Sequence, residues 1–374
     1  MGTVDVYGEE PVALLELPSV GVALWPAIFG GVLLAAGPLG KRYGVEGAAE
    51  DLKAARSAST TLLFNGSCLL LPLLGLLFSS QGVTSMPFLD PLFNERVPTI
   101  MVFGILNGFG GLAATYAMAL ASGSDGCALI SMIQNGVCTV AAGLYIVVMS
   151  GEWPTVLQCA AAALIVIGVS LAQGGGNAAG CMPMKFRSKE REDDHEDPEA
   201  QPPTSSGPKG RLGGTVLTSA GGLALTLSVI AGLLWGFGAL AKTFGVRGAQ
   251  NDLKATWSIL TIISLYMCNL MAALVGLWKM GLRRILQSFD DTKWPVRVGG
   301  VILCGFASGL GGLYCTYAFT QADKHEGALI AMLENGVYTV VGALMIALVF
   351  RERPSMMQYL SAVFVLAGIL LIAA

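Results

Sequence analysis

Apolar residues along this chain come in runs of about twenty, separated by short polar stretches, without the strict alternation of a half-buried strand. A run of that length crosses a hydrocarbon layer of about 30 Å at 1.5 Å per residue. Five runs fall over residues 19–40, 58–78, 99–120, 126–149 and 154–172, and five more over 217–241, 257–278, 296–320, 327–350 and 354–374. Residues 41–57 (KRYGVEGAAEDLKAARS) separate the first two runs as a polar hinge, and 79–98 form a loop rich in Pro, Asp and Asn. Pro154 opens the fifth run, where a first helical turn tolerates its missing N–H. The pattern predicts an all-α, polytopic membrane protein with ten transmembrane helices.

Between the two sets of five the pattern fails. Residues 174–212 hold a triple glycine, a mixed-charge block (KFRSKEREDDHEDPE) and QPPTSSGP, with no apolar period from which to build a core, and are expected to form a disordered linker. Residues 1–18 carry four acids and no Lys or Arg, which fits neither a secretory signal nor a mitochondrial presequence. The chain therefore divides into an N-terminal tail (1–18), a first five-helix unit (19–173), the linker (174–212) and a second five-helix unit (213–374).

The two units are copies. Residues 128–140 read ALISMIQNGVCTV and 328–340 read ALIAMLENGVYTV, identical at nine of thirteen positions. GVEGAAEDLKAA from Gly44 aligns with GVRGAQNDLKAT from Gly245, and Gly108-x-Gly110-Gly111-Leu112-x-x-Thr115-Tyr116 with Gly309-x-Gly311-Gly312-Leu313-x-x-Thr316-Tyr317. Five spans per copy is odd, so the second copy must enter the bilayer from the opposite side. That makes two inverted repeats, an arrangement that supplies two near-equivalent packings, one open to each face.

Composition fits this class and excludes others. The chain is 54% hydrophobic and only 13% charged, with a mean hydropathy of +0.66, against roughly 25% charged residues in soluble domains. A net charge of -3 does not suggest a nucleic-acid partner. The eight cysteines form no C-x-x-C and lie mostly in apolar runs as small packing residues, and two histidines make a histidine-rich metal site improbable. No P-loop, G-x-S-x-G or H-E-x-x-H is present, so no catalytic residue, metal ligand or cofactor is assigned and the chain is not read as an enzyme. The partners implied are the lipid bilayer and a small-molecule substrate, in an integral, multi-pass protein.

Candidate chemistry then narrows to a few polar groups inside spans. Glu334 is the one carboxylate placed well within an apolar run; such an acid costs about 2.5–3.5 kcal/mol or more in lipid, so it should face a cavity or a partner. It is the candidate for carrying a coupling proton or holding a substrate amine, although Gln134 at the matching position means that the architecture itself demands no charge. Gln134, Asn135 and Asn335 suit sugar hydroxyls, or equally inter-helix hydrogen bonds of about 0.6 kcal/mol each. Asn107, Tyr116 and Tyr317 are further candidates to face a cavity, whereas Thr115 and Thr316 are expected to bond back to their own helices. Gly104-x3-Gly108 and Gly305-x3-Gly309 read as packing motifs. Glu152 and Glu352 read as helix N-terminal acids, and Asp51-x-Lys53 and Asp252-x-Lys254 as local ion pairs or anchors.

With these motifs in place, the chain resembles the drug/metabolite transporter superfamily in its EamA-type ten-span branch. The likeness rests on the two five-span repeats and on the paired segments Glu152-Trp153-Pro154 with Gln158 and Gly168, and Glu352-Arg353-Pro354 with Gln358 and Gly368. The Asn107-Gly108-Phe109-Gly110 stretch is also similar to the rhamnose–proton symporter branch. The resemblance implies a central cavity lined by the first, third, fourth, sixth, eighth and ninth spans, and a cargo such as a sugar, nucleotide sugar or amino-acid-like metabolite. It also implies cytosolic termini. The excess of Lys and Arg in loops after odd-numbered spans, Lys41 and Arg42 among them, would instead place those loops in the cytosol, and the opposite side holds few, Lys242 among them.

The reading from sequence is a secondary active transporter of a small polar metabolite, alternating between two packings and coupled to protons through Glu334. A divalent-cation carrier of the same fold and a non-transporting membrane receptor or scaffold are the alternatives. One acid is thin for a hard cation that wants about six oxygens.

Overall fold

The structure, a computed structural model, describes residues 19–78, 93–121, 127–151, 219–249, 253–290, 293–322, 326–350 and 356–373, with 155–171 described in part. The N-terminal tail, the whole linker expected at 174–212, residues 79–92 of the loop expected at 79–98, and Glu152, Pro154, Asp252, Glu352 and Pro354 lie outside these residues, whereas residues 93–98 of that loop are helical.

Long apolar runs become long helices because only an internal hydrogen-bond ladder satisfies the backbone in hydrocarbon. In chain order they are α1 (Ser19–Leu34), α2 (Ala36–Val45), α3 (Lys53–Phe78), α4 (Phe93–Ala121), α5 (Cys127–Ser150), α6 (Ser219–Val246), α7 (Lys254–Met280), a short α8 (Leu282–Ser288), α9 (Trp294–Gln321), α10 (Gly327–Val349) and α11 (Met356–Ala373). No strand occurs among the described residues. Eight spans among them, with α1 and α2 counted together, are long and apolar enough to cross a membrane. The protein is an α-helical, multi-pass integral membrane protein. Large side chains such as Trp25, Val148 and Leu348 stand on its outside, as a lipid-facing surface requires.

The helices outrun the apolar runs at several ends. Residues 41–45, expected in a polar hinge, complete α2, and 242–246 complete α6. Helix geometry persists past Lys41 and Lys242 because both side chains point inward to partners rather than to water. Each helix ends before a glycine in the left-handed region, Gly47 (φ 70°) and Gly248 (φ 68°), where other residues are strained. An arginine from the other half caps each end: Arg297 donates to Glu46 O, and Arg96 donates to Arg247 O at 2.8 Å. The break at Ala35 also has a local cause. Pro38 cannot donate to Leu34 O, and Ser308 Oγ donates to that carbonyl instead at 3.4 Å.

The glycine pairs let helices approach closely. A Cβ on Gly108 would stand 3.0 Å from Asn269 Cα of α7, and one on Gly309 would stand 2.9 Å from Cys68 Cα of α3. Contacts also fix direction. Between α3 and α7, Ala58 lies by Gly276, Asn65 by Asn269 and Gly75 by Ile259, so these two matching helices run antiparallel. Between α5 and α10, Gly143 meets Met332 and Cys138 meets Asn335, again in opposite senses.

Candidate functional site

Helical spacing assembles a polar pocket lined from nine helices, α1 to α7, α9 and α10. On α6, Trp235, Gly238 and Lys242 are three and then four residues apart and share a face; on α10, Glu334, Asn335 and Tyr338 do the same within one turn. Lys41 comes from α2, Asn65 from α3, Asn107 from α4, and Tyr266 and Asn269 from α7. These residues line a cavity of about 140 Å³.

Its electrostatics centre on one ion pair. Lys242 Nζ donates to Glu334 Oε1, with the two side chains 10% and 5% exposed. Glu334 Oε2 has no hydrogen-bond partner among the described residues. Lys41, 6% exposed, points its ammonium at the Trp235 ring, 4.1 Å from the centroid, and at Phe64, 5.6 Å away. A second network is neutral: Asn107 Nδ2 donates to Asn269 Oδ1 (3.1 Å), Asn269 Nδ2 to Asn65 Oδ1 (3.4 Å), and Asn65 Nδ2 to Thr61 O (2.8 Å). This relay holds the three amides in one orientation.

A larger cavity of about 770 Å³ opens beside the C-terminal ends of α5 and α6 and the N-terminal end of α10. Ser150, Thr243, Phe244 and Gly327 line it, with Arg96 and Lys254 at its charged edge. Phe103 stacks on Phe237 (5.7 Å) and leans on Phe244 (6.3 Å), while Tyr145 stacks on Phe237 (4.6 Å). At the other end of α10 the equivalent positions touch one another: the Arg42 guanidinium sits 3.9 Å over Phe350, and Tyr43 lies 5.2 Å from it.

Of the residues singled out from sequence, Glu334, Asn335 and Asn107 come together in the inner cavity. Gln134 and Asn135 are buried beside it without lining it; Gln134 Nε2 donates to Ala114 O at 3.1 Å, and Asn135 Nδ2 to Ser131 Oγ at 3.4 Å. Tyr116 is half-buried against the apolar cluster that contains Val45 and Met118, and Tyr317 is 41% exposed on the outer surface. Thr115 and Thr316 bond to Gly111 O and Gly312 O within their own helices. Lys53 pairs with Glu50 at 2.7 Å, not with Asp51.

Two cavity residues were misplaced by sequence. Lys41 and Lys242 had been assigned to loops as orienting charges; both are buried in the interior and neither belongs in a count of loop charge. The signal was present in the matched Gly37-x3-Lys41 and Gly238-x3-Lys242, which precede the aligned Gly44-Val45 and Gly245-Val246. Trp235, Asn65, Asn269 and Tyr266 also line the cavity, and in the sequence each stands alone in an apolar run with no motif to mark it. No group of three or more His, Cys, Asp or Glu that could hold a metal occurs among the described residues.

No family model matches the chain, and no curated protein matches it. A solved structure named no more specifically than "Crystal structure of protein" is similar over 94% of this chain and 96% of its own, with a TM-score of 0.54 and 13% sequence identity. At that identity the similarity shows a shared fold.

Proposed function

We propose that the chain is a secondary active transporter of a small polar metabolite, built of ten spans in two inverted five-helix repeats of the drug/metabolite transporter type. The observation that carries this reading is the cavity itself. Two lysines, a glutamate and a relay of asparagines meet inside a helix bundle where each ionisable group is costly, and groups retained there mark solute and ion pathways. Three further features support it. The matching helices α3 and α7, and α5 and α10, run antiparallel, as inverted copies must. Arg96 and Arg297 cap each other's halves at equivalent helix ends. A cavity opens at one end of the bundle, while at the equivalent positions of the other end Arg42 and Tyr43 pack on Phe350, an asymmetry expected of a carrier resting in one of its two packings.

A charged, amide-lined cavity counts against a scaffold with a filled apolar interior, and an excess of ammonium groups counts against a divalent-cation carrier. Glu334 carries the coupling proton in this account. Uptake of candidate solutes into vesicles, with and without a pH gradient, tests it: stimulation by the gradient should vanish in Glu334→Gln. Unchanged proton dependence in that variant would remove Glu334 from the mechanism.

A further inference from the structure

Lys41 is the charge left over once Lys242 and Glu334 have paired. It is buried on α2, lines the inner cavity, and makes no ion pair or side-chain hydrogen bond among the described residues. Its contacts are the faces of Trp235 and Phe64. Cation–π attraction at a desolvated site is worth about 2 kcal/mol, less than the several kcal/mol that burying an ion costs. With both lysines protonated and Glu334 ionised, two ammonium groups stand against one carboxylate, an excess of one positive charge on the cavity walls.

We infer that the inner cavity takes a small organic anion, its carboxylate or phosphate oxygens seated between Lys41 and Lys242. That such an anion is also moved across the membrane rests on the transporter reading above; that it binds does not. A neutral polyol would leave Lys41 uncompensated, and an amine would add to the excess. The anion supplies the missing negative charge and competes with Glu334 for Lys242. The volume of about 140 Å³ is close to the roughly 150 Å³ that admits a benzene ring, so the ligand is a handful of heavy atoms and not a nucleotide sugar. Asn107 and Asn335, on α4 and α10, line the same cavity and are suited to a hydroxyl on the same ligand. Gly238 keeps this space free, since a Cβ there would press on the Asn107 side-chain amide.

The test pairs binding with flux on the purified full chain. Glycerate, inorganic phosphate, erythritol and ethanolamine are each assayed for thermal stabilisation in detergent and for uptake into reconstituted vesicles. Glycerate or phosphate should stabilise the protein, with the arm that responds naming the oxyanion. Loss of one charge-assisted contact in Lys41→Met should weaken that response roughly tenfold to a hundredfold, and Lys41→Arg should restore most of it. Anion binding without flux would uphold the site and sink the transporter reading. Uptake of erythritol or ethanolamine with no response to either anion would overturn the inference and leave the transporter reading standing. No binding and no uptake of any of the four would overturn both, and anion binding unchanged in Lys41→Met would overturn the assignment of Lys41.

Discussion

Removing the Glu334 carboxylate alone should destabilise the protein more than removing Lys242 alone, and far more than removing both. The side chains are 10% and 5% exposed, so neither charge left behind can reach bulk water without local rearrangement. Glu334→Gln strands two ammonium groups, Lys41 and Lys242, in one cavity, and a buried ion stripped of its partner costs about 3–5 kcal/mol. Lys242→Met leaves Glu334 with Lys41 as the remaining opposite charge in the same cavity, which places its cost toward the low end of that range. The double variant Lys242→Met/Glu334→Gln retains only the Lys41 charge and should fall within about 1–2 kcal/mol of the parent, since neutral replacement of a buried pair is often harmless. At about 2 °C per kcal/mol for a chain of this size, the unfolding midpoint in detergent should drop roughly 6–10 °C in Glu334→Gln and recover to within about 4 °C in the double variant. A double variant as unstable as the sum of the singles would refute the coupling. Lys242→Met proving worse than Glu334→Gln would refute the role given to Lys41.

Other outcomes follow from the same geometry. Gly309→Val should clash with Cys68 of α3 and lower the midpoint by an amount equivalent to about 1–3 kcal/mol, seen also as poor recovery of folded protein in detergent. Arg297→Gln should free Glu46 O at the end of α2 and cost about 1–3 kcal/mol, read by the same melt and by faster hydrogen exchange at residues 42–46. Asn269→Leu should leave the Asn107 amide without its acceptor and Asn65 Oδ1 without its donor, raising the KM for uptake while protein yield stays near that of the parent. Phe350→Ala should unpack Arg42 and Tyr43 and raise labelling of the inner cavity from that face alone.

Much of the helical, multi-pass architecture was legible because bilayer thickness dictates run length. Glu334 was legible for a related reason: an acid in the middle of ALIAMLENGVYTV has few ways to exist in lipid. The lysines were not. Lys41 and Lys242 lie near the ends of apolar runs, where composition says loop, and only the aromatic face of Trp235 and the carboxylate of Glu334, both distant in sequence, keep the helices going through them. Gln134 shows the opposite failure. Its place in the repeat matches that of Glu334, yet its Nε2 donates to Ala114 O within the first half, a backbone carbonyl that no pattern of side chains reveals, and it does not line the cavity.

The account depends most on the inner cavity being reachable from each side of the membrane in turn. Asn107→Cys and Asn335→Cys, exposed to a membrane-impermeant thiol reagent on one face of the vesicle at a time and read by peptide mass, measure this directly. Modification from both faces, with protection by a bound solute, is the predicted result. Modification from one face only, under every condition of pH and solute, would contradict alternating access and the transporter reading with it.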